Sequence, residues 1–415
     1  MHRCVLKAAW LLLAAPLIAP IGAFAFEAVD VLTPAGSGVY PAYPSEPLPP
    51  YGLWGQFGMM YDSNLLRLTT GDNGSLVTRL GVGGRYDQRI VGRQSLHAEA
   101  RVDGYVYDKY SDLDNVGYGG LAEWRYEVGN DLSGAIGVSR RRFQANLSEI
   151  QRAAYDPITE TQFSANGRYV VGPHLGLRAG AAFIDYVRPS RADSNTKTAI
   201  VTGGVDWVTQ IGNMVGLEFG QAHGNAPVNQ LVDPLGVFVN NDYTQRDVAV
   251  VGTLAVNPYM HLAGRYGNTH REYSQLPGRD FNGPTWDLLF QWLPGNKTML
   301  TVESEKHVSS IIDIGASHVT VTGFAFGPGW APTAKLNFQA RFLKQHQVFE
   351  GDPEVQLGLA PLREEYIRGY RLGAYWELTR QVHFQFSVDH GERESNILGR
   401  NYTYNAGIAN VRYVF

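Results

Sequence analysis

The chain has 415 residues, of which 44% are hydrophobic, 12% aromatic and only 18% charged, with 47 glycines. A mean hydropathy of −0.20 excludes a bundle of membrane helices, and a formal charge of −4 gives no reason to expect nucleic-acid binding. The length is too great for one ordinary β-sandwich but suits one large barrel, whose wall presents apolar side chains to lipid only at alternate residues.

Residues 1–25 read as a secretory signal. Arg3 and Lys7 form a basic start, Ala8 to Pro20 an apolar stretch, and Ala23-Phe24-Ala25 a cleavage site. The sole cysteine, Cys4, lies inside this segment, so no disulfide framework or thiol chemistry is expected. Its removal would take the formal charge to −6. Residues 26–50 carry six prolines and read as an extended periplasmic leader, too short to be a plug domain.

Residues 51–415 read as a transmembrane antiparallel β-barrel of about eighteen strands. The expected strands are 53–61, 77–89, 96–107, 116–128, 132–143, 158–170, 175–187, 197–209, 213–223, 242–256, 259–270, 284–293, 297–307, 316–327, 335–342, 366–378, 382–389 and 403–415. Alternation is weak in 198–209 and 316–327, which leaves sixteen strands open. The connections alternate between tight breakers, such as Val91-Gly92 and Gly129-Asn130, and long polar segments, such as 144–156, 224–241 and 347–363. Short periplasmic turns and long external loops mark outer-membrane barrels.

The side-chain pattern supports this. In 96–107, Leu96, Ala98, Ala100, Val102 and Val106 oppose His97, Glu99, Arg101 and Asp103. A period of two with charge on one face describes a strand with one dry side and one wet side. An arginine or lysine near the lipid midplane costs about 2–4 kcal/mol, so the charged face must line a water-filled lumen. Trp124, Tyr126, Tyr169, Tyr186, Trp207, Trp286, Trp292, Tyr375 and Trp376 sit near strand ends, as interfacial girdles would. The C-terminal segment places Val411, Tyr413 and Phe415 on one face. It reads as a closing strand that the barrel-assembly machinery would handle.

The expected lumen wall includes Arg85, Arg101, Tyr105, Arg178, Tyr186, Arg265, Arg341, Arg371 and Arg412, together with Arg79, Tyr86, Tyr107 and Tyr370. Arginine and tyrosine would suit a passing anionic sugar, since guanidinium pairs with carboxylate and rings stack on sugar faces. Acids such as Glu99, Asp103, Glu218, Glu303 and Glu305 offer the plainer reading of cross-strand ion pairs. Arg140-Arg141-Arg142 leads into an external loop. His383 and Ser387 share a face, but it is the expected luminal one, whereas a lipid hydrolase needs its nucleophile towards the membrane. Asp62 and Asp72 do not begin calcium loops, because the sixth and twelfth positions hold the wrong residues. No H-E-x-x-H or G-x-S-x-G occurs. The expectation is no enzyme, no cofactor and no metal.

Tyr61-Asp62-Ser63-Asn64-Leu65-Leu66-Arg67-Leu68 and Gly391-Glu392-Arg393-Glu394-Ser395-Asn396, followed by Tyr402 and Tyr404-Asn405, resemble the exopolysaccharide-biosynthesis outer-membrane proteins of the EpsL type. Leu66 stands where phenylalanine is expected. The resemblance implies a bacterial outer-membrane protein that exports an exopolysaccharide, with outer-membrane lipid, the polymer and a periplasmic export machinery as partners. It carries over no catalytic residues. A diffusion porin for small solutes is the alternative, which an inward-folded constriction loop, such as 224–241, would favour. An outer-membrane enzyme acting on lipid or sugar comes third.

Overall fold

A computed structural model describes residues 51–226, 231–232, 238–275, 277–309, 316–356 and 358–415. The signal and leader expected over 1–50, and 227–230 and 233–237 of the expected loop 224–241, lie outside the described residues.

The first nine strands are β1 (Tyr51–Asp62), β2 (Ser75–Val91), β3 (Gln94–Tyr107), β4 (Asn115–Val128), β5 (Leu132–Gln144), β6 (Pro157–Val171), β7 (Leu175–Val187), β8 (Thr196–Val208) and β9 (Met214–Asn225). A two-residue hairpin, β10 (Leu231–Val232) and β11 (Phe238–Val239), stands apart from the main sheet. The wall continues with β12 (Tyr243–Asn257), β13 (Met260–Tyr273), β14 (Phe281–Gly295), β15 (Thr298–Ser309), β16 (His318–Trp330), β17 (Leu336–Glu350), β18 (Arg363–Glu377), β19 (Val382–Ser395) and β20 (Tyr402–Val414). Each wall strand pairs antiparallel with its neighbours, and β1 pairs with both β2 and β20. The sheet therefore closes as an 18-stranded barrel, and both weakly alternating segments, β8 and β16, are wall strands.

β17 and β19 run further outward than expected, to Glu350 and Ser395. Above the lipid both faces of a strand are wet. Pairing there continues without the apolar alternation that marks the buried part, so 347–363 is shorter as a loop than the sequence pattern implies. At the opposite end, Gly92 and Gly129 turn the chain with φ of 59° and 64°, left-handed values that glycine adopts without a steric penalty.

The outer surface carries Leu53, Leu80, Val82, Val106, Phe163, Val201, Phe219, Val250, Leu372 and Val388, all exposed. Trp124, Tyr169, Trp207, Trp292, Trp330 and Trp376 lie outward near the turn end. Tyr118, Tyr266, Trp286 and Tyr366 lie outward nearer the loop end. An apolar band between aromatic girdles on a closed barrel is the architecture of the bacterial outer membrane, where every backbone polar group must find a partner in the wall. The protein resides in that membrane. Tyr186 and Tyr375, expected in the girdles, share the inward face with Glu160 and Gln385, their cross-strand partners.

Candidate channel: mouth and lumen wall

Direct cross-strand partners share a face, so the register fixes which residues meet the lumen. Arg85, Arg101, Tyr105, Arg178, Tyr186, Arg265, Arg341, Arg371 and Arg412 all lie on the inward face. Tyr86 and Tyr370 do not. Each directly adjoins an inward arginine, Arg85 or Arg371, and so points outward, where both are exposed. His383 and Ser387 are inward, and His383 Nδ1 lies 2.5 Å from the Tyr375 hydroxyl.

The expected ion pairs organise much of the wall. From β6 to β13 they form a continuous belt. Arg168 and Arg178 reach Asp206 at 3.8 and 2.8 Å. Arg178 and Arg265 each lie 3.1 Å from Glu218. Arg265 lies 3.7 Å from Asp247, and Gln245 links Asp247 to Arg271. Further round, Arg341 pairs with Glu303 at 2.8 Å and Arg371 with Asp389 at 2.6 Å. Satisfying buried charges this way avoids the penalty of leaving one unpaired.

The sector of β1, β2, β3 and β20 differs. Arg79 and Gln56 both donate to Asp103, at 3.0 and 2.8 Å. Arg101 stays 3.9 Å from Asp103, beyond hydrogen-bond reach. Arg412 donates to the Gln56 amide oxygen at 3.2 Å and lies 4.6 Å from the centre of the Trp54 ring. Arg85 stands 3.6 Å from Asp87. Asp103 is thus shared by Arg79, Gln56 and Arg101, while Glu99 stands directly opposite Arg85 on the same face. Two glycines open the space: a Cβ on Gly83 would meet the Trp54 ring at 2.1 Å, and one on Gly81 would meet Asp103 at 2.1 Å. Trp54 therefore lies flat along the wall. Across the ring, Asp287, Glu303 and Glu305 group on β14 and β15.

Above the arginine cluster, the external loop 145–156 folds inward. Its one-turn helix Leu147–Ile150 is capped by Asn146, whose side chain accepts from the Ser148 N–H at 2.9 Å. Leu147 is buried with Leu65, Leu66 and Leu113 from the first two external loops and with Met60 and Val77 of the wall. The loop is held at both ends. At its base, Arg188 is fully buried and donates to Asp156 at 2.8 and 2.5 Å; Ser190 also donates to Asp156. At its tip, Gln151 donates to the carbonyls of Arg67 and Gly399 at 2.9 and 3.2 Å, and Arg393 donates to that of Ser148 at 3.2 Å. Arg67 and Gln151 have left-handed backbones, φ 57° and 48°, a conformation disfavoured outside glycine. They are the two such non-glycine residues among the described residues, and they meet at this contact.

Segments 61–68 and 391–405 come together here. The Ser63 N–H donates to the Asn405 carbonyl at 2.9 Å. The Asn64 amide donates to the Thr403 carbonyl at 3.0 Å. Arg67 lies 3.6 Å from the centre of the Tyr404 ring and pairs with Asp62, while Arg393 lies 4.5 Å from that of Tyr402. Burial would lower the basicity of Arg67, but the bond and charge from Asp62 outweigh it and raise its pKa. Sequence reading missed Trp54, Gln56 and the Asp156–Arg188 clamp. Trp54 and Gln56 could have been found from the inward parity of β1 facing Gly81 and Gly83. The clamp joins two loops and has no periodicity to betray it.

No protein-family model matches the chain, and neither does any curated protein. Among solved structures, the outer membrane protein OpdK from Pseudomonas aeruginosa is similar at a TM-score of 0.48 and 10% identity, over 88% of this chain and 99% of its own. OpdQ from Pseudomonas aeruginosa gives 0.48 and 12%, over 88% and 97%. A BenF-like porin from Pseudomonas fluorescens Pf-5 gives 0.48 and 8%, over 89% and 100%.

Proposed function

We propose that the protein is a selective diffusion channel for small solutes bearing a negative charge. The observation that carries this reading is the inward, doubly anchored loop 145–156 above the arginine cluster of β1–β3 and β20. A narrowed mouth favours small solutes over a bulky chain. Arg412, which donates to Gln56 rather than to a carboxylate, and Arg101, 3.9 Å from an Asp103 already held by Arg79 and Gln56, offer guanidinium groups to an anion. The acids on β14 and β15 would orient the passing molecule across the lumen, since charge of one sign in a low-dielectric cleft focuses the field. Export of an exopolysaccharide is the second reading. It rests on the resemblance of 61–68 and 391–405, although those residues have a structural task at the mouth.

The test is a reversal potential in a salt gradient across a planar bilayer, with liposome swelling in small carboxylates and neutral sugars. The wild type should favour anions, and Arg101→Gln with Arg412→Gln should reduce that preference roughly tenfold. Cation preference in the wild type, or an unchanged ratio in the variant, would refute the reading. Loss of secreted polysaccharide on gene deletion, with swelling unaffected, would establish export in its place.

A further inference from the structure

The structure divides the triplet Arg140-Arg141-Arg142. Arg141 points inward and donates to Glu160 at 3.0 and 3.2 Å. Arg140 and Arg142 point outward, on the face that continues the apolar run of Leu132, Ile136 and Val138. Along the strand, Leu132 to Arg140 spans about 26 Å at roughly 3.3 Å per residue. With the usual tilt of about 35–45°, this places Arg140 close to the top of an apolar band about 25 Å tall. The two guanidinium groups therefore reach the headgroup level of the outer leaflet.

Their surroundings suit an anion that the protein does not itself supply. Opposite Arg142 are Tyr118 and Thr159; opposite Arg140 are Gly120 and Thr161. These directly opposite neighbours provide hydroxyls but no carboxylate. Three other outward cations have an acid at hand, whereas Lys344 stands opposite Phe324 and Arg368. Arg368 lies 2.8 Å from Glu392, Arg246 lies 3.8 Å from Glu272, and Lys197 stands directly opposite Asp185. Arg142 has the Tyr155 ring at 5.9 Å. Two like charges on one strand face repel each other unless an anion lies between them. A phosphate fits both the fork geometry of arginine and the hydroxyls beside it.

We propose that Arg140 and Arg142, with Thr159, Thr161 and Tyr118, bind a phosphate group of a phosphorylated lipid in the outer leaflet. The occupant is a lipid, not a free ion, because the guanidiniums sit where acyl chains end. The site lies outside the lumen and is independent of what the channel carries.

The experiment is native mass spectrometry of the detergent-purified full chain with bisphosphorylated lipid A and with its dephosphorylated form. The wild type should retain the bisphosphorylated lipid at least tenfold more tightly than Arg140→Gln/Arg142→Gln, and should show no such preference for the dephosphorylated form. Inorganic phosphate in excess should not displace it. Folding of the variant is confirmed by unchanged single-channel conductance and heat-modifiable gel migration. If the double variant does not fold, Arg140→Gln alone is read in the same way. Equal retention by wild type and variant, or displacement by inorganic phosphate, would overturn the proposal.

Discussion

Trp54 shows how one missing methyl group shapes the lumen. Because Gly83 leaves the ring room, Trp54 lies against the wall beneath Arg412. In Gly83→Val the new side chain would occupy the ring's place. Valine suits a strand, so the barrel should still assemble, with about 1–3 kcal/mol of strain from overpacking. The ring should swing towards the lumen, and single-channel conductance should fall by a measurable fraction while gel migration of the folded form is retained. Unchanged conductance would show that Trp54 does not border the path. Parity made residues of this kind legible. Arg101, Arg178, Arg265 and Arg341 each alternate with apolar neighbours, and that alone places them on the wet face. Parity also puts Tyr86 and Tyr370 on the outer face, since each is one residue from an inward arginine.

Loop 145–156 depends on a buried ion pair rather than on a periodic pattern. Burial pushes the Asp156 carboxyl up, but hydrogen bonds from Arg188 and Ser190 and the charges of Arg188 and Arg191 outweigh it and hold the pKa below the ordinary aspartate value. The clamped loop thus binds fewer protons than the released one. Its stabilisation is complete above the ordinary aspartate value, near 3.9, and is lost as pH falls through the depressed one. Conductance should therefore hold steady from neutral pH to about 4 and rise below it. Asp156→Asn should show a raised conductance at all pH values and no acid step. Removing one partner of a buried pair costs roughly 3–5 kcal/mol, enough to free a loop without unfolding the wall. An acid step that persists in Asp156→Asn would assign it to another group. The strands around this loop were legible because lipid on one side and water on the other impose a period of two. The inward fold of the loop was not, because it rests on Arg393 meeting Ser148 across 245 residues.

At the scale of the molecule, closure joins the two ends of the wall. The Phe415 N–H donates to the Leu53 carbonyl at 2.9 Å, and its ring lies outward beside Tyr413, with ring centres 5.0 Å apart. Deleting Phe415 removes that bond and the terminal outward aromatic. The folded, heat-modifiable fraction in the outer membrane should fall severalfold, with unassembled chain accumulating in the periplasm; an undiminished folded fraction would show that the last residue is dispensable. Pairing of β1 with β20 is the least local contact in the chain, and such contacts form late because the entropy of closing the long loop opposes them. The same seam carries Arg67, Tyr402 and Tyr404, which support the tip of loop 145–156. The loop that narrows the pore therefore gains its last anchors, from Arg393 and Gly399, when the wall is sealed. Until that moment an inserted barrel is a wider hole than the finished protein, so a bacterium with slow closure would betray it first as leakage of bulky toxic compounds into its envelope.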